Sequence, residues 1–250
     1  MNEPALEPFF RLLKFDQVGS TNGEAKRLAA AGAPEGTLVW AREQSAGRGR
    51  RGRAWASPAG NLYLSLVLRP DCAPRAAAQL GFAAAVAVGE TCARFLPQAA
   101  ELRYKWPNDV LLDGRKLAGI LLESQSAGEA RLAWLVLGIG INLASHPEAT
   151  QYPATSLAAA GAVVTPETMI AVLAERLLAW YERWRGAEGF AAVRRAWLLR
   201  AHGLGSEIRV RLAQSELAGR FAGLDGDGGL LLDGAEGRRR IAAGEIFPAG

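Results

Sequence analysis

The side chains best equipped for chemistry crowd into one loop, Ser45-Ala46-Gly47-Arg48-Gly49-Arg50-Arg51-Gly52-Arg53-Ala54-Trp55, where four arginines and three glycines fall between Gly47 and Arg53. Glycine lets a backbone approach a ligand closely and adopt φ > 0. Arginine supplies planar, permanently charged forks that match carboxylate and phosphate oxygens. A loop of both is suited to cradling an anion with backbone N–H groups while guanidiniums close over it. The simpler alternatives are a solvated basic turn and a nucleic-acid patch. Gly47, Gly49 and Gly52 also spell G-x-G-x-x-G, but a dinucleotide fingerprint must open a helix inside a βαβ unit. The residues next in the chain, Trp55-Ala56-Ser57-Pro58-Ala59-Gly60-Asn61, are loop chemistry instead. No G-x-x-x-x-G-K-[ST] phosphate loop occurs in the sequence, so a nucleotide would be handled by another design.

Three further segments carry polar groups at suggestive spacing. In Gly19-Ser20-Thr21-Asn22, Thr21 and Glu24 have capping-box spacing and Gly32 is a natural stop, which predicts a short helix. Ser20 and Thr21 then stand where helix N–H donors are free. Lys105-Trp106-Pro107-Asn108-Asp109 precedes Lys116-Leu117-Ala118-Gly119-Ile120, with Asp113-Gly114 between them as a tight hairpin turn. Gly138-Ile139-Gly140-Ile141-Asn142 ends a strand with two glycines, where a ligand or a second backbone can come close. Each has a plainer reading. Asp109 caps a turn, Trp55 and Trp106 fill core, Lys105 is a surface residue, and the two glycines serve packing alone.

These segments need a scaffold, and the composition supplies one. The chain has 250 residues, half of them apolar, which suits a packed core with a small second unit. Lysine plus arginine number 29 against 25 acidic residues, a net +4, so the placement of charge says more than its total. Two cysteines and two histidines argue against a disulfide framework and a metal centre. No secretory signal is visible, no window resembles a membrane span, and a cytoplasmic protein is expected.

Gly36–Gln44 reads as a strand running into the basic loop, and Asn61–Leu68 alternates as a second. Pro74 to about Leu96 is an Ala-rich buried helix. Leu102–Trp106, the hairpin around Asp113-Gly114 and Arg131–Leu143 supply further strands, and Phe10–Phe15 is a short amphipathic lead-in. Pro166 opens a long helix with an apolar stripe of Ile170, Leu173, Leu177, Trp180, Tyr181 and Trp184, and another helix spans about Phe190–Arg200. Past His202-Gly203-Leu204-Gly205 come short strands with tight turns, a small barrel expected to lean on the rest. The fold class is therefore α+β, a mixed or antiparallel sheet flanked by helices, with domains at 1–202 and 203–250.

Taken together, the G-R-G-R-R-G-R loop, K-W-P-N-D and K-L-A-G-I-L resemble the catalytic domain of biotin protein ligase, in family order, from about Phe15 to the C-terminus. The resemblance implies a synthetase-like biotin–lipoate ligase domain, related to class II aminoacyl-tRNA synthetases, with a C-terminal SH3-like β-barrel. Some members carry an N-terminal winged helix-turn-helix; only about fifteen residues precede the pattern here, so a monofunctional enzyme without specific DNA binding is expected.

The implied reaction joins biotin to the α-phosphate of ATP, with Mg²⁺, and passes biotin from biotinyl-AMP to a lysine of a biotin carboxyl carrier protein domain. The resemblance assigns Ser20, Thr21 and Gln44 to the ureido head of biotin, Gly47 and Arg48 to its walls and to its carboxylate or the phosphate, and Asn22 and Gly119 to the biotin site. It assigns Arg50, Arg53, Trp55, Asn108 and Asn142 to the nucleotide. Lys116 bridges the biotin carboxylate and the α-phosphate as the catalytic electrophile, and Arg48 neutralises charge beside it. Asp109 either binds Mg²⁺ or orients the incoming lysine. Exposed sheet edges allow a homodimer. A lipoate or octanoate ligase of the same superfamily is the nearest rival; it needs a long apolar acyl slot, which the polar set Ser20, Thr21 and Gln44 does not suit. A nucleic-acid module built on Arg48–Arg53 is the other.

Overall fold

The computed structural model describes residues 4–128, 131–148, 150 and 152–248. A seven-stranded sheet carries the larger part. Its strands are β1 (Arg11–Val18), β2 (Thr37–Gln44), β3 (Leu62–Leu68), β4 (Leu102–Lys105), β5 (Asp109–Leu112), β6 (Arg115–Ser126) and β7 (Leu132–Ile141), in the order β1-β2-β3-β7-β6-β5-β4. β1 and β2 run parallel, as a helical crossover requires, through α1 (Thr21–Ala30). The remaining neighbours are antiparallel. The amphipathic lead-in at Phe10–Phe15 is thus an edge strand rather than a separate piece.

The two faces of this sheet have different tasks. One face packs on α2 (Pro74–Ala77), α3 (Gln79–Ala93), α4 (Pro166–Arg185) and α5 (Gly189–Leu198), burying Leu62, Leu64, Leu66, Leu135, Leu137 and Ile139. The other meets α1, whose Ala25 and Ala29 lie on Val39, Val67 and Val136. Because β3 is central, all of Leu62–Leu68 is buried, the residues between the leucines as well. α3 is apolar nearly all round because it is enclosed by sheet and helices. Contrary to the expectation from sequence, Pro74–Ala93 is long and apolar enough to cross a membrane, but most of it is buried in this core. The Ala-rich stretch also ends earlier as a helix than expected, at Ala93.

Helix α4 starts after Thr165, whose hydroxyl accepts from Thr168 N at 3.2 Å, with Pro166 at the first helical position where no N–H is needed. Past His202, β8 (Glu207–Arg211), β9 (Glu216–Leu224), β10 (Leu230–Gly234), β11 (Gly237–Ile241) and β12 (Glu245–Pro248) form a five-stranded antiparallel sheet in the order β11-β10-β9-β8-β12. It leans on the larger unit as expected: the Trp106 indole donates to Gly228 O at 3.1 Å, and Phe82 lies where any Cβ on Gly228 would fall. Trp106 is therefore core, its plainer reading.

Candidate active site

The α1 face of the large sheet holds the polar cluster, and strand register explains why. Lys105 pairs with Asp109, Asp109 with Gly119, Gly119 with Gly140, and Gly140 with Tyr63. Residues directly opposite on neighbouring strands point to the same side, so one row crosses β4, β5, β6, β7 and β3. Its middle positions are glycines. The Trp55 indole lies on this bare strip: a Cβ on Gly140 would meet it at 2.6 Å and one on Gly119 at 3.0 Å. The next row places Leu121 opposite Gly138 and Gly138 opposite Ser65. There a Cβ on Gly138 would fall 2.0 Å from Asn22 Oδ1. The close approach foreseen at Gly138 and Gly140 is made by the chain's own Asn22 and Trp55.

At the α1 end of the cluster, Ser20 is the N-cap and accepts from Gly23 N at 3.4 Å. Glu24 pairs with Arg27, so the capping box expected between Thr21 and Glu24 does not form. Thr21 N, freed from capping, donates to Gln44 Oε1 at 2.7 Å, and the Thr21 hydroxyl reaches the same oxygen at 3.1 Å. Gln44 Nε2 donates to Ser57 Oγ at 2.9 Å, and that hydroxyl donates to Trp55 O. Ser65 Oγ stands 2.8 Å from Thr21 Oγ1 and 2.6 Å from Asn22 Oδ1. Asn22 Nδ2 donates to Glu123 Oε2 at 3.0 Å, and Lys26 binds the other oxygen of that carboxylate. Burial pushes the Glu123 carboxyl up, but the bonds from Lys26 and Asn22 outweigh it and hold it below the ordinary carboxylate range. The result is a fixed set of neutral donors and acceptors with side chains locked by one another.

The basic loop closes the other side. Gly47 sits where a Cβ would strike Trp55 O at 2.4 Å and Ser57 Oγ at 2.5 Å, so only glycine fits. Arg51 takes a left-handed conformation at φ 56°. Arg48 pairs with Ala54 in an isolated bridge, and its guanidinium reaches toward Gly23 at the start of α1. Arg50 donates to Asn108 Oδ1 at 3.2 Å, and burial lowers its pKa. Asn108 in turn donates to Ile120 O at 2.8 Å, fixing the hairpin to the edge of β6. Arg53 forms a two-bond fork with Glu245 of β12, at 3.0 and 2.7 Å. That fork draws the Glu245 carboxyl below its ordinary value.

Lys116 comes after the hairpin turn, in which Asp113 and Gly114 have φ of 47° and 73°. Its backbone is clamped: Lys116 N donates to Pro153 O at 2.7 Å and Thr155 N to Lys116 O at 3.0 Å. Asn142 Nδ2 binds Thr155 O at 2.9 Å. Nζ lies 2.6 Å from Asp109 Oδ1 and 5.3 Å from the centre of the Trp55 ring. Beyond this ionic contact, Asp109 Oδ1 has no hydrogen-bond partner among the described residues. Two cavities meet at Trp55 and Lys116. One, of about 140 Å³, includes Ser20, Thr21, Arg48, Asp109 and Gly138 in its walls. The other, of about 220 Å³, includes Asn142, Thr150, Tyr152, Ala154 and Glu245. A larger cleft of about 640 Å³ opens beside them under Arg75 and Arg240, away from Lys116.

The structure thus brings together Ser20, Thr21, Asn22, Gln44, Gly47, Arg48, Arg50, Arg53, Trp55, Asn108, Asp109, Lys116, Gly119 and Asn142 around the two cavities. Sequence reasoning missed Ser57, Ser65, Glu123, Tyr152 and Glu245, which reach the site from separate segments and carry no local pattern. Lys105 is also corrected: it is 2 % exposed, not a surface residue.

Comparison with known proteins covers most of the chain. The model of the "Biotin/lipoate A/B protein ligase family" matches residues 15–142, and that of the "Biotin protein ligase C terminal domain" matches 203–247. The chain is 45% identical to a biotin--[acetyl-CoA-carboxylase] ligase of Paracoccus denitrificans, over 92% of this chain and 98% of that one. It is 38% identical to the bifunctional ligase/repressor BirA of Bacillus subtilis, over 94% of this chain and 73% of that one. A biotin protein ligase from Aquifex aeolicus, solved with biotin and ATP, superposes with a TM-score of 0.78 at 28% identity, covering 95% of this chain and 97% of that one.

Proposed function

Since the chain belongs to the biotin/lipoate A/B protein ligase family, we infer that it is a biotin protein ligase, which activates biotin with ATP and transfers it to a lysine of a biotin carboxyl carrier protein domain. The single observation that carries this reading is Lys116, held with its ammonium beside Asp109 where the two cavities meet. A carboxylate from one cavity and an α-phosphate from the other repel, and a cation between them removes that barrier.

In the first step a biotin carboxylate oxygen attacks the α-phosphorus, and the bond to the bridging oxygen breaks with pyrophosphate leaving. In the second, the acceptor amine attacks the carbonyl carbon, the bond to the phosphate oxygen breaks, and AMP leaves with the electron pair as the amine sheds its proton. The locked donors and acceptors of Ser20, Thr21, Asn22 and Gln44 suit a rigid, neutral ureido ring better than an acyl chain. Trp55 separates the two cavities and offers an aromatic face to the adenine. Arg48, Arg50 and Arg53 neutralise phosphate, and the glycine loop excludes water from the labile anhydride.

Mg²⁺ fits as part of the nucleotide: among the described residues no three acidic, histidine or cysteine side chains cluster. Phosphate oxygens would hold it, with Asp109 as one protein ligand, and when bound it supplies neutralising charge. The alternative role for Asp109 is to receive the acceptor lysine. We assign residues 1–202 to catalysis and 203–250 to an accessory unit that delivers Glu245. Beyond Gly119, β6 has no β5 partner in the sheet, an edge that suits a second copy of the chain or the acceptor.

Biotin-dependent exchange of labelled pyrophosphate into ATP tests the reading. Exchange with biotin and none with lipoate is expected. Exchange with lipoate alone would make the chain a lipoate ligase, and none with either acid would remove the adenylation reading.

A further inference from the structure

Six cations line the cavities around Asp109: Arg48, Arg50, Arg51, Arg53, Lys105 and Lys116. Two are neutralised within the protein, Arg53 by Glu245 and Lys116 by Asp109. Arg50 has a neutral partner in Asn108. Lys105 is different again. It is almost wholly buried, it lines the cavity, and among the described residues no carboxylate lies within 4.0 Å of it. Its ammonium is walled by aromatic faces instead, Tyr152 at 3.9 Å and Phe247 of β12 at 5.2 Å from the ring centres.

We propose that Lys105 is a second phosphate-binding lysine of the site, holding a phosphate oxygen of the nucleotide with a positive charge that no carboxylate among the described residues pairs directly. The proposal rests on the ligase reading above and deepens it.

A buried ammonium without a directly paired anion is expensive, since aromatic faces and more distant carboxylates return only part of its lost hydration. If Lys105 served merely to fasten β12 to the sheet, a methionine would pack against Tyr152 and Phe247 without that penalty. The charge is therefore explained by something anionic that enters the cavity. Burial accordingly pushes the Lys105 pKa down, while Asp109 and Glu245 pull it back up; an arriving phosphate would add to that upward pull and keep the group charged. The Lys105–Asp109 register puts this charge on the Lys116 side of the sheet, one strand beyond Asp109. Lys116, already paired, is placed to act on the reacting atoms, and Lys105 to hold the phosphate end. Its role is electrostatic positioning.

The test uses the full chain and two probes, pyrophosphate and AMP. In the exchange assay, Lys105→Met is expected to raise the KM for pyrophosphate about 10- to 100-fold, the range of one charge-assisted hydrogen bond, and to leave the KM for biotin within about twofold. Lys105→Arg should recover part of the loss, since it restores the charge in a different shape. Weakened pyrophosphate binding with AMP binding intact places Lys105 on the β,γ side, and the converse on the α-phosphate; either supports the proposal. Unchanged constants for both anions, or pyrophosphate and biotin constants that rise by the same factor, would overturn it. Calorimetric titration of wild type and both variants with pyrophosphate alone reads the anion site without turnover. An effect there with no biotin-dependent exchange by wild type would discard the ligase reading and keep the anion site. Exchange by wild type with no effect of Lys105→Met would do the reverse.

Discussion

Replacing Gly138 by alanine should damage the site through one specific collision. The new methyl would lie 2.0 Å from Asn22 Oδ1, 2.7 Å from its Cγ and 2.9 Å from its Nδ2. Ordinary van der Waals contact begins near about 3.4 Å, so the carboxamide must move by more than about 1 Å in a close-packed region. Asn22 is buried and short, and its amide is held by Ser65 at 2.6 Å and Glu123 at 3.0 Å. Both bonds break when it moves. A bond to a charged group contributes about 1.5–3 kcal/mol and a neutral one about 0.5–1.5 kcal/mol, so the expected loss is about 2–4 kcal/mol. For a chain of this size that is roughly 4–16 °C in Tm. Thermal unfolding followed by calorimetry, with the KM for biotin measured alongside, reads both effects.

The discriminating variant is Asn22→Ala, which removes all three atoms that the methyl would strike. Alone it should cost a similar amount, because the same two bonds are lost. Gly138→Ala placed on top of it should add little, giving a coupling of about 2–4 kcal/mol in a double-mutant cycle. Additive losses in the double variant would refute the collision and leave the glycine with a backbone role only.

Two more outcomes are set by the charged pairs. Lys116→Ala should lower the rate of pyrophosphate exchange by about 100- to 1,000-fold, the usual consequence of losing one group that meets developing charge, with folding intact by circular dichroism because the Lys116 backbone bonds remain. Arg53→Met should remove the fork that depresses the Glu245 carboxyl below its ordinary 4.5. A depressed carboxyl stabilises the fold above that value and loses the contribution as pH falls through the lowered one. The stability gap between wild type and variant should therefore be constant from pH 7 to about 5 and shrink below 4.5; urea titrations at stepped pH check it, and a gap that widens in acid contradicts the pairing.

Much of the fold and the site is legible in the amino-acid sequence, for reasons that differ by residue. Leu62–Leu68 alternates and Asp113-Gly114 turns because local backbone preferences decide both, and both appear in the fold. The loop from Gly47 to Trp55 declares itself by composition. Capping is misread because Thr21 N finds a better acceptor in Gln44, 23 residues away, and no local rule weighs a partner at that distance. Phe10–Phe15 becomes part of an edge strand because β2 offers it a parallel neighbour. Pro74–Ala93 is legible as a buried helix, and its enclosure by sheet and helices accounts for a stretch that is also apolar enough to cross a membrane. Lys105, Tyr152 and Phe247 cannot be joined from sequence: they lie on three segments, and lysine in a strand is ordinarily exposed. Glu245 likewise acquires meaning only when β12 folds back onto Arg53.

The central claim is transfer of biotin to protein, and the most direct measurement is the mass of an acceptor. A purified biotin carboxyl carrier protein domain is incubated with the full chain, biotin, ATP and Mg²⁺, and its intact mass is recorded. One biotinyl group should be added to one lysine, with no addition when ATP is omitted, when lipoate replaces biotin, or when that lysine is changed to arginine. An acceptor of unchanged mass, or one that gains lipoyl in place of biotinyl, would contradict the account.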